Sequence, residues 1–128
     1  MGNIAAAGTL REQIQRAITA HGVFKVRLSL IVEAGTAELT AAGVGADYLC
    51  PVGQWLYDGL DRSAEAGPYY ENVRALHATF HRAAGEVMAL SLARKQGEAL
   101  AAMETPSTFK QASDKLVAAL TAWAESLG

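Results

Sequence analysis

The 128 residues are enough for one domain with one core. About half of them (51%) are hydrophobic and only three are prolines, so residues 1–128 are read as a single helical domain. Eleven basic and thirteen acidic residues in mixed order give a net charge of −2, which leaves a nucleic-acid surface without a basic patch to stand on. The most apolar stretch, residues 28–32, is far shorter than a bilayer span, so no membrane role is expected. The single cysteine excludes an internal disulfide and fits a reducing, cytoplasmic setting.

In chain order, the first predicted helix covers residues 9–34. Thr9 with Glu12 three residues on forms a capping-box signature. Leu10, Ile14, Ala17, His21, Phe24, Leu28 and Ile31 then recur at steps of four and three, a seam on one helical face that includes a histidine. Residues 35–48 are rich in turn formers, with room for a helical turn over residues 36–42. A short helix is predicted from Pro51 over residues 51–60, because proline suits the first helical position, and Cys50 falls at or beside its N-cap. Gly67 and Pro68 mark the next break, followed by a predicted helix over residues 69–97. The last, over residues 108–127 after Pro106, carries the seam Phe109, Ala112, Leu116, Leu120, Trp123 and Leu127. Short connections favour antiparallel neighbours, so the expected fold is all-α: an up-and-down antiparallel four-helix bundle with a short additional helix carrying the cysteine.

Four residues stand out chemically. His77 and His81 are four apart on one helix, and imidazoles at that spacing share a face and can share a metal. His21 sits in an apolar seam, where an unpartnered imidazole is costly to bury. Cys50 at a helix N-terminus faces free backbone N–H groups, which should lower its pKa and favour metal binding or oxidation. One thiolate and three neutral imidazoles make a tetrahedral set suited to zinc, although cobalt, nickel or copper also accept such ligands. Asp47, three residues before Cys50, is placed to accept a hydrogen bond from a ligand histidine or from the helix N-terminus. The plain alternative for each is packing: a hydrogen-bonded core histidine, a small capping cysteine, a solvated carboxylate. A di-iron bundle would need Glu-x-x-His pairs, which are absent, and haem attachment would need a second cysteine.

Taken together, these blocks resemble the bacterial chemoreceptor zinc-binding (CZB) domain family over about residues 17–92, and more loosely over the last helix. His21–Gly22–Val23–Phe24–Lys25 matches the family's first motif, a histidine followed by an aromatic and a basic residue. Cys50–Pro51–Val52–Gly53–Gln54–Trp55–Leu56–Tyr57–Asp58–Gly59 matches the second, with Val52 where leucine is usual. His77 to His81, with Phe80 before the second histidine, matches the third. The resemblance implies a cytoplasmic zinc-loaded sensory module, attached in its relatives to chemoreceptors or diguanylate cyclases and responsive to zinc or to oxidants such as hypochlorous acid. It implies His21, Cys50, His77 and His81 as the zinc ligands, and a homodimer. No heptad signalling hairpin or cyclase segment is read in these residues, so a free-standing chain is expected to need a partner in trans. An enzyme is not expected, for four protein ligands close the zinc shell and no HExxH is present. The competing readings are a three-histidine zinc enzyme with Cys50 outside the shell, and a purely structural bundle.

Overall fold

Helix α1 spans Leu10–Ala34. Thr9 caps it: its side chain accepts from the Glu12 N–H, and the Glu12 carboxylate accepts from the Thr9 N–H at 2.9 Å. It ends where Gly35 takes a left-handed φ of 70° and returns its N–H to Ile31 and Val32. The computed structural model describes residues 4, 8–65, 67–104 and 107–127. Pro106, after which the last helix is expected to begin, lies outside the described residues.

The long helices α5, Pro68–Leu92, and α7, Thr108–Ser126, supply two further walls. Between α1 and α5 lie α2 (Ala41–Gly45), α3 (Pro51–Gln54), one π-helical turn (Trp55–Gly59) and α4 (Arg62–Glu65). A short α6, Gln96–Ala101, joins α5 to α7. No strand occurs among the described residues, and the all-α bundle expected from the sequence is what forms.

Contacts fix the directions. Arg11 at the start of α1 donates to the Ala124 carbonyl near the end of α7 at 3.0 Å, so these two helices run antiparallel. Leu10, Tyr69 and Leu127 line one cavity, which puts the starts of α1 and α5 beside the end of α7. Residues 41–59 descend along α5: Val44 meets His81, Cys50 meets His77, and the Leu56 carbonyl accepts from Tyr70 Oη at 3.0 Å. The path is therefore up, down, up, down, with short helices forming the second leg. The seam residues Ile14, Leu28, Leu116 and Leu120, together with Phe80 of α5, are fully buried in the shared core. Among the described residues, no helix is long and apolar enough to cross a membrane.

Four local expectations need correction. The extra helical turn lies at Ala41–Gly45, where Thr40 supplies the cap, and not over residues 36–42. The helix expected over residues 51–60 changes to π geometry at Trp55, and α4 was not foreseen at all. The helix expected over residues 69–97 stops at Leu92, because Arg94 adopts φ 65° and Lys95 returns its N–H to the Leu90 carbonyl. Leu127, assigned to the seam of α7, lies beyond its last turn and is 45% exposed.

Candidate metal centre

Cys50 is the N-cap of α3. Pro51 fixes the first helical position, and the Gly53 N–H donates to the Cys50 sulfur at 3.3 Å. This local geometry turns Sγ inward, toward α5. There, one helical turn apart, His77 Nε2 lies 3.3 Å and His81 Nε2 3.4 Å from the sulfur. The three donor atoms all lie within 4.8 Å of one another, and both imidazoles are buried.

The hydrogen bonding favours metal-binding forms. His81 Nδ1 lies 2.8 Å from the Val44 carbonyl oxygen, which can only accept. The ring proton is therefore on Nδ1, and the Nε2 lone pair faces Cys50. His77 Nδ1 is buried and has no hydrogen-bond partner among the described residues. With the His77 proton on Nδ1, the thiol has one proton to offer two imidazole nitrogens, and the centre then gathers more acceptors than donors. A cation resolves that imbalance, and a sulfur with imidazoles is the donor chemistry zinc prefers. The residues present thus fit a zinc ion.

Electrostatics agree for the histidines. Burial, then repulsion from Lys25 and His81, holds His21 down at about 4. Burial and repulsion from His81 hold His77 down at about 3, against a partial counter-pull from Asp47. Burial also lowers His81, opposed by the Val44 carbonyl. All three rings are neutral near pH 7, the state in which they bind metals. Cys50 reverses the expectation from sequence. Burial pushes its thiol up, and the N–H groups of Gly53 and Val52 offset this only in part. Without a cation this thiol stays protonated at neutral pH.

Two other expected residues sit differently. His21 is buried on α1, with its ring edge-on to Phe80 at 4.5 Å, but it lies outside the three-donor group. Its Nε2 is 2.9 Å from Ser113 Oγ on α7. The Asp47 carboxylate accepts a hydrogen bond from Tyr57 Oη, and its charge bears on His77 and His81 from a distance.

Sequence reasoning missed Val44, whose contribution is a backbone carbonyl and so leaves no side-chain signature. It also missed Ser113, although a serine four residues after Phe109 and three before Leu116 interrupts the apolar seam of α7. A cleft of about 440 Å³ opens beside the centre, bordered by Phe24, Arg27, Leu39, Val44, Cys50 and His81.

Neither the curated proteins nor the solved structures contain a match to this chain. The family model of the chemoreceptor zinc-binding domain, a sensory and not a catalytic family, matches residues 21–88, which span the thiol and all three histidines. More than half of the chain is covered, its cofactor is zinc, and the chain belongs to the chemoreceptor zinc-binding domain family.

Proposed function

We propose that this chain is a single regulatory bundle domain that holds one zinc ion through His21, Cys50, His77 and His81 and reports zinc availability or oxidation of Cys50. The observation that carries the reading is the convergence of the Cys50 sulfur, at the start of α3, with two imidazole nitrogens of α5, with the His81 tautomer fixed by Val44. His21 is assigned as the fourth ligand because it lies in the matched segment and its buried ring packs edge-on against Phe80, which in turn packs against His81. Bound zinc would supply a positive charge that keeps Cys50 as thiolate and ties the Cys50 segment to α5.

Two inputs then act on the same residues. Loss of the ion frees the helices it joined. Alternatively, the thiolate attacks hypochlorous acid, forming sulfenic acid on Cys50 and releasing chloride, which weakens the sulfur as a ligand. Either change biases the packing of α3 against α5, a local chemical event read as a shift between two arrangements. We assign the output to chemotaxis or cyclic-di-GMP signalling in the cytoplasm, through a linked or separate partner protein. A homodimer is part of the proposal. Val23, Val26 and Leu30, each 59–62% exposed, form an apolar strip along the outer face of α1 that a second copy would cover.

Elemental analysis of the purified chain should find one zinc per chain, and Cys50→Ser should weaken zinc binding by at least tenfold. A cobalt-loaded sample should show a strong thiolate-to-metal absorption band. Full zinc affinity in Cys50→Ser, or no such band, would remove the cysteine from the centre and favour a three-histidine site.

A further inference from the structure

We propose that Ser113 is a second, competing partner of His21, so that the imidazole exchanges between the Ser113 hydroxyl and the metal centre. This rests on the zinc reading above and adds the residue that regulates the fourth ligand.

Ser113 lies on α7, beyond the segment matched by the family, and is completely buried. Its neighbours on the inner face, Phe109, Ala112 and Leu116, are apolar and buried. A hydroxyl in such a place is costly unless it is hydrogen-bonded, and His21 Nε2 at 2.9 Å supplies the partner. For His21 the contact does the same in return, since its ring is also buried.

The two uses of this nitrogen exclude each other. At His77 and His81 it is Nε2 that faces the sulfur, whereas at His21 the same atom faces Ser113. A ring nitrogen engaged with a hydroxyl cannot donate its lone pair to a metal at the same time. The three-donor group forms without His21, with Phe80 wedged edge-on to both His21 and His81. Ligation through Nε2, the nitrogen that His77 and His81 present to the centre, therefore takes His21 off Ser113, and α7 then loses a buried polar contact with α1. Occupancy of the centre is in this way registered by α7, which contributes no ligand to it.

The test uses the full chain, stripped of metal under reducing conditions and titrated with zinc against a chromophoric chelator. Ser113→Ala removes the competing hydroxyl, so zinc should bind about fivefold more tightly, the scale of one net hydrogen bond. The effect should vanish in the His21→Ala background, which a general packing change would not do. Nitrogen-15 spectra of the metal-free protein supply a second readout, since the His21 Nε2 resonance should shift in Ser113→Ala while those of His77 and His81 stay in place. Unchanged or weaker zinc binding in Ser113→Ala, or the same change without His21, would overturn the exchange and leave the zinc reading intact. A wild-type chain that takes up no zinc would overturn both.

Discussion

At position 53 any side chain would bring its Cβ to 1.9 Å from the Asp47 carbonyl oxygen and 2.9 Å from the Asp47 carbonyl carbon. The chain before Cys50 thus folds directly over the first turn of α3, and only glycine leaves room for it. The same residue gives its N–H to the Cys50 sulfur, so one position sets both the path of the loop and the direction of the thiol. Gly53→Ala should therefore act on two measurements together. Overpacking costs of about 1–3 kcal/mol should lower the thermal unfolding midpoint. Zinc affinity should fall as well, because the loop can relax only by moving Cys50 away from His77 and His81. A variant with lowered stability and unchanged zinc affinity would show that the loop yields without carrying the sulfur along.

Helix α2 is held against α5 by a contact between glycines, and this contact carries the carbonyl that orients His81. A Cβ on Gly85 would meet Gly45 Cα at 3.0 Å and the Ala41 carbonyl oxygen at 3.1 Å. Gly85→Ala should push α2 outward, lengthen the bond from His81 to Val44, destabilise the fold by about 1–3 kcal/mol and weaken zinc binding. Gly22 is the contrast. It lies inside α1, it is exposed, and nothing stands within 4 Å of its absent Cβ. Gly22→Ala should raise stability by about 0.5–1 kcal/mol through helix propensity alone. Thermal or urea unfolding of the two variants checks the opposite signs. These elements also show what the sequence made legible. The start of α1 was readable because Thr9, Glu12 and the apolar seam agree. The end of α5 was not, because Arg94 takes the left-handed position usually marked by glycine, and Gln96 satisfies the Ser91 carbonyl with its side chain at 2.8 Å. Likewise, the four-residue spacing of His77 and His81 and the proline after Cys50 pointed to donors that do gather. The contact made by His21 was hidden, since it depends on a hydroxyl 92 residues away that only the packing of α7 brings near.

For the molecule as a whole, the core is unusual in enclosing three histidines at 1–4% exposure between apolar layers. Each is neutral when folded, with His21 held down at about 4 and His77 at about 3, whereas an unfolded chain protonates them near their usual value of about 6.5. The unfolded state therefore binds more protons than the folded one at pH values below about 6.5, and in that range stability rises with pH. For the chain stripped of zinc, the unfolding free energy from urea titration should be level between about pH 7 and pH 8. It should fall steeply from about pH 6.5 toward pH 4, by up to about 1.4 kcal/mol per pH unit for each histidine involved. Zinc should add stability at neutral pH by mass action, and this increment should shrink over the same range as protons compete for the imidazoles. The two curves should therefore converge as the solution becomes acidic. A zinc-free profile that stays flat from pH 7 to pH 4 would mean that the histidines take up protons without opening the fold. In that case the centre would sit in a hydrated cleft, and its occupancy would have little hold over the packing of the surrounding helices.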